Sequence, residues 1–142
     1  MSNPDYIYFD VAATTPINSI VLDKMHEVYK NYFGNSSSVH QIGQKSHNLI
    51  ERSRKSIASL LDCLESEIIF TSGGTESNNI ALGGILSKND HLITSTYEHP
   101  SILNVAKALS QKGIEVSYIK PNANGIINPD DIKNAFKKNT KL

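Results

Sequence analysis

A single cysteine, Cys63, is all that the 142-residue chain carries, which excludes an internal disulfide framework and suits a reducing cytosol. Charge of one sign is also missing, since 14 basic residues balance 14 acidic ones. With no net positive field and no basic stripe, the sequence gives no support to an electrostatic nucleic-acid partner. The Lys-rich end, Lys133 to Lys141, is short and mixed with polar residues, and it reads as a solvated helix face. No apolar run approaches the roughly 20 residues of a membrane span. Met1-Ser2-Asn3-Pro4-Asp5 lacks the pattern of a signal peptide. There is no internal repeat, low-complexity tract or linker. His26, His40, His47 and His91 lack metal-ligand spacing, and they read as surface or packing residues. Cys63, beside Leu61 and Leu64, reads as a small buried thiol and not as a nucleophile.

What is present fits one soluble globular domain with 39% hydrophobic residues. Tyr6-Ile7-Tyr8-Phe9 is a strand candidate, followed by the small-residue stretch Ala12 to Pro16. Asn18 is placed to cap a helix whose apolar positions are Val21, Met25, Val28 and Tyr32. Phe33 to Ser38 breaks it as a loop. A longer amphipathic helix spans about 42–61. An alternation then follows: strand 67–71, helix 75–87, strand 91–95, helix 100–112, strand 114–119. Strands joined by helices imply an α/β class with a largely parallel sheet. Pro121 to Gly125 is a turn, Asn128-Pro129-Asp130 opens a last helix, and another strand is due where the chain stops at Leu142.

Phe70-Thr71-Ser72-Gly73-Gly74-Thr75-Glu76 runs from a strand through a glycine turn into a helix. The first amides of that helix have no intrahelical partner, and outward-pointing amides make a phosphate site. The hydroxyl of Thr75 adds a donor. A glycine pair before a helix also serves as a plain turn, and on this feature alone both readings stand. In parallel sheets ligands bind at the carboxyl ends of strands, where Ser72 to Thr75 and Thr96 to His99 fall.

Taken together, Tyr8-Phe9-Asp10-Val11-Ala12-Ala13-Thr14-Thr15-Pro16, Gly34-Asn35 to His40, Ile69 to Asn78, Glu98-His99-Pro100-Ser101 and Asn124-Gly125-Ile126-Ile127 resemble the pyridoxal-phosphate (PLP) cysteine desulfurases. These form the NifS/IscS group of the class V aminotransferase superfamily. The resemblance covers essentially the whole chain, in order and spacing. It implies a PLP-dependent transferase of fold type I, aspartate aminotransferase-like, with a mostly parallel sheet flanked by helices. Residues 1–15 would join a small domain, and 16–142 would form part of the PLP-binding large domain. Val11 stands where the family usually has Asn, and Ser36 replaces its usual Pro.

The resemblance implies that the amides around Gly74 and the hydroxyl of Thr75 hold the PLP phosphate. It also implies that His99 stacks on the pyridine ring and takes part in proton transfer, a role suited to a planar imidazole. Without the neighbouring motifs, His99 would read as a helix cap or surface residue. The implied activity removes sulfur from L-cysteine, leaving alanine and an enzyme persulfide, for iron–sulfur cluster assembly or other sulfur transfer. The implied setting is a cytoplasmic homodimer, with a sulfur-acceptor or scaffold protein as a further partner. The family's Schiff-base lysine follows Ser-x-His-Lys, a pattern this chain does not contain. That lysine and the nucleophilic loop Cys would follow Leu142, so the 142 residues alone are expected to be inactive. The alternatives are a selenocysteine lyase, another class V enzyme, or a noncatalytic binding remnant.

Overall fold

The computed structural model describes residues 7–142. They divide into two compact units, the first ending at Ile68 and the second being Ile69–Leu142.

In the first unit, Tyr8 Oη donates to the carbonyls of Asp10 (2.8 Å) and Thr14 (3.1 Å), closing the stretch before the first helix. The strand expected at 6–9 does not form over residues 7–9, and Tyr6 lies outside the described residues. Helix α1, Ser19–Asn31, starts where expected because Asn18 Oδ1 accepts the Ile20 amide at 2.9 Å. Its apolar side remains open, with Val21 still 52% exposed.

Helix α2, Gln41–Leu61, begins under a close-fitting loop. His40 caps it through Nδ1, which accepts the Gly43 amide at 3.3 Å. A Cβ on Gly43 would stand 2.5 Å from the Asn35 carbonyl oxygen and 2.6 Å from that of Ser38. A Cβ on Gly34 would stand 2.5 Å from the Ile42 carbonyl oxygen, so loop and helix meet backbone to backbone. Buried Ser46 donates from Oγ to the Tyr32 carbonyl at 3.3 Å, beyond the end of α1. Asp62, at φ 52°, ends α2. Cys63 follows in this turn and is half-buried, less covered than expected because it lies past the helix end.

The strand expected at 67–71 is not one. A 3-10 turn occupies Glu65–Glu67, and 68–71 run on without forming a strand. The Ile68 carbonyl instead accepts from the Arg54 guanidinium. A strand is a pairing property, and apolar β-branched composition does not supply the neighbour.

The second unit holds α3 (Gly74–Ile85), β1 (His91–Ser95), α4 (Pro100–Gln111), β2 (Glu115–Ile119) and α5 (Pro129–Ala135). Strands β1 and β2 pair in parallel, His91 opposite Glu115 and Ser95 opposite Ile119, with α4 as the crossover. The far edge of β1 is also paired. The His91 amide donates to the Asn139 carbonyl (2.8 Å), the Lys141 amide to the His91 carbonyl (2.9 Å), and the Ile93 amide to the Leu142 carbonyl (2.9 Å). These bonds make an isolated parallel bridge, His91 opposite Thr140, on the side of β1 away from β2.

Leu82, Leu86, Leu92, Ala106, Leu109 and Ile114 form the core of this unit, with Ile102, Val105 and Val116 against them. These residues come from α3, α4 and the strands, so the core fixes the two helices against the sheet. A fully buried Leu contributes about 1.5–3 kcal/mol. The openings of α3 and α4 are therefore held on a packed base.

Candidate cofactor site

Thr71 and Ser77 tie the glycine turn together, their hydroxyl oxygens 2.8 Å apart. Glu76, in the first turn of α3, reaches back so that Oε2 accepts the Ser72 amide at 2.6 Å. This bond to Ser72 holds its carboxyl below the ordinary carboxylate value. The Ser77 amide closes the first helical bond onto the Gly73 carbonyl at 3.1 Å. The amides of Gly74 and Thr75 precede that bond and carry the positive end of the helix. Among the described residues no side chain caps the helix at Gly73. Among the described residues nothing stands within 4 Å of a Cβ placed on Gly73 or Gly74, so they leave space open against the turn.

At the start of α4, His99 is the cap. Its Nδ1 accepts the Ser101 amide at 3.1 Å and lies 2.8 Å from Ser101 Oγ. Asn78, on α3, donates from Nδ2 to the same Oγ at 2.8 Å. Ser101 is 9% exposed, whereas His99 is open to solvent. The preceding loop is tight: Ser95 Oγ donates to Glu98 Oε1 at 3.1 Å and accepts the Tyr97 amide at 3.1 Å.

These two helix starts share one space. Thr75, Asn79, His99, Ser101 and Asn104 line a groove of about 590 Å³ between α3 and α4. Thr75 at the start of α3 and His99 at the start of α4 thus border one groove, with Gly74 next to it in sequence. That donor set suits a phosphate ester carried on a flat ring.

The Aminotransferase class-V family model matches residues 7–142. The chain belongs to the class-V aminotransferase family. Among curated relatives of this family member, cysteine desulfurase IscS of Dictyoglomus turgidum is 41% identical over 140 residues, covering 96% of this chain and 36% of the relative. A mitosomal cysteine desulfurase of Encephalitozoon cuniculi is 41% identical over 143 residues, covering 96% of this chain and 33% of the relative. The chain therefore spans about a third of the length of these relatives. A solved NifS-like protein superposes with a TM-score of 0.87 at 32% identity, covering 94% of this chain and 38% of that one. SspA in complex with cysteine gives 0.83 at 39% identity, covering 94% and 40%. The expected resemblance and the α/β fold are borne out. Members of this family are PLP enzymes.

Of the residues singled out in the sequence, Gly74, Thr75 and His99 fall in the second unit at or beside this groove. His99 caps α4 through Nδ1 and is exposed, as its reading as a helix cap or surface residue expects. Asn78 and Ser101 were not singled out. Their signal was slight: an Asn in the second turn of α3 and a Ser two residues after the His. His91, read as a surface or packing residue, is fully buried, with Nδ1 2.8 Å from Thr140 Oγ1. His26, His40 and His47 are exposed.

Proposed function

We propose that this chain is the N-terminal part of a PLP-dependent cysteine desulfurase, residues 1–15 belonging with a small domain and 16–142 with the large one. The observation that carries this is the single groove shared by Thr75 at the start of α3 and His99 at the start of α4. The Gly74 and Thr75 amides and the Thr75 hydroxyl would hold the cofactor phosphate. The Glu76 carboxylate is turned away onto Ser72, which keeps its charge engaged beside an anion site. His99 offers a planar ring with Nε2 open, suited to stacking and to carrying a proton. When bound, PLP supplies an electron sink for bond cleavage in an amino-acid substrate. A relative solved with cysteine favours L-cysteine as that substrate, its sulfur passing to an enzyme cysteine as a persulfide and alanine leaving. Selenocysteine is the alternative substrate.

The groups that anchor the cofactor covalently and accept the sulfur are not among the 142 residues. A homodimer and a sulfur-acceptor or scaffold protein complete the reading. No described helix is long and apolar enough to cross a membrane. A cytoplasmic location is proposed on the cysteine content; named relatives include a mitosomal protein as well. The test is an amide NMR titration of the chain with PLP and with inorganic phosphate. Both should move the Gly74 and Thr75 resonances, and PLP alone should also move His99. Shifts confined to exposed lysines would overturn the reading.

A further inference from the structure

We propose that Asn78 and Ser101 are positioning residues that hold His99 in one neutral tautomer, with its proton on Nε2. This deepens the reading of His99 as the group that carries a proton beside the cofactor. One donor in the cluster is unambiguous. The Ser101 backbone N–H can only donate, and it points at His99 Nδ1 from 3.1 Å. Nδ1 must therefore present its lone pair, because a protonated Nδ1 would set donor against donor.

The other roles follow in turn. Ser101 Oγ, 2.8 Å from the same Nδ1, has to donate its hydrogen there. Its lone pairs are left to accept from Asn78, whose Nδ2 stands 2.8 Å away. The amide and the hydroxyl that Asn78 supports bias Nδ1 in the same sense, and the hydroxyl is the part that Asn78 controls. Each group polarises the next in the same sense. Ser101 is 9% exposed, so water competes little for its hydroxyl. The two donors on Nδ1 also fix the ring about its χ angles, leaving Nε2–H aimed outward. Asn78 sits on α3 and Ser101 on α4, so the packing of these helices sets the imidazole's state. A capping role alone needs only the backbone amide; it does not need a hydroxyl supported from another helix.

The test reads the His99 ring nitrogens by long-range ¹H–¹⁵N correlation on labelled chain in mildly alkaline buffer. The parent should show Nδ1 unprotonated and Nε2 protonated, without averaging. Asn78→Asp reverses the relay: the carboxylate accepts from Ser101 Oγ–H, and the oxygen then accepts from Nδ1–H. The Nδ1–H to Nε2–H ratio should rise about tenfold or more, the scale of exchanging one hydrogen bond to a charged group. Ser101→Thr keeps the hydroxyl and should keep the parent spectrum. Should Asn78→Asp not fold, Asn78→Leu carries the test. There the Nδ1–H signal should rise above the parent. A parent with Nδ1 protonated or averaged overturns the proposal, as does an unchanged spectrum in whichever Asn78 variant folds. Failure of PLP to bind would overturn the proposed function while leaving these spectra as they are.

Discussion

His91 Nε2 lies 2.8 Å from Ser117 Oγ across the parallel ladder, inside a side chain that is fully buried. Its Nδ1 meets Thr140 Oγ1, so one imidazole joins β1 to β2 on one side and to the last residues of the chain on the other. Burial, with the Lys137 charge adding to it and Glu115 opposing, holds this imidazole below the ordinary value of 6.5.

The folded state thus binds fewer protons than the unfolded state between its own lowered value and 6.5. Stability is present in full above that window and falls as pH drops through it. Thermal unfolding of the second unit should show Tm falling from about pH 6.5 downward, and His91→Gln should remove that slope. A Tm flat through this range in the parent would refute the assignment. The lowered carboxyls of Glu76 and Glu115 contribute above the ordinary 4.5 and lose this as pH falls further, a separate and more acidic limb.

Gly43→Ala should destabilise the first unit. The added Cβ meets two backbone oxygens at 2.5 and 2.6 Å, and a backbone cannot swing aside as a flexible side chain does. Overpacking of this kind costs about 1–3 kcal/mol. Denaturant unfolding followed at Tyr29 or Tyr32 measures it. A variant as stable as the parent would show that the loop and α2 are not tightly apposed.

Thr75→Ala should weaken PLP binding about ten- to a hundredfold, the value of a hydrogen bond to a charged group at roughly 1.5–3 kcal/mol. Its folding stability should stay within about 0.5 kcal/mol of the parent, since Thr75 is exposed. His99→Ala should leave the phosphate contacts largely in place and lower turnover in the complete enzyme. Equal PLP affinity for parent and Thr75→Ala would reduce the glycine turn to a plain structural one.

The 142 residues alone should release no sulfide or alanine from L-cysteine above the level of free PLP. They contain no Ser-x-His-Lys, and their one cysteine, Cys63, is half-buried at the end of α2. Turnover by the purified chain would refute this. Recovery on adding the remaining polypeptide in trans would identify a split enzyme.

Several elements were legible before any coordinates. Asn18 and Asn128 cap their helices as their residue type suggested, with Asn128 Oδ1 accepting the Asp130 amide at 3.1 Å. The strand–helix–strand at 91–119 follows from apolar runs separated by a helical period. Residues 67–71 misled because their composition suits a strand, while the chain there forms a 3-10 turn and the Ile68 carbonyl takes a side-chain donor, Arg54. His99 was legible as a candidate site residue only through the motif around it. Ser101, which bonds its ring, is itself bonded by Asn78, 23 residues away, and local pattern does not reveal that separation.

By itself the amino-acid order determined the α/β class, the helix starts, the glycine turn before α3 and the family signature. These depend on interactions between residues up to about four apart, which composition and spacing encode directly. The tertiary structure alone decided that Thr75 and His99 share one groove and that Ser101 lies between Asn78 and the imidazole. It also decided that His91 bonds partners 26 and 49 residues away. Those outcomes depend on burial, and burial exists only once the core of Leu82, Leu92, Ala106 and Leu109 has brought distant segments together.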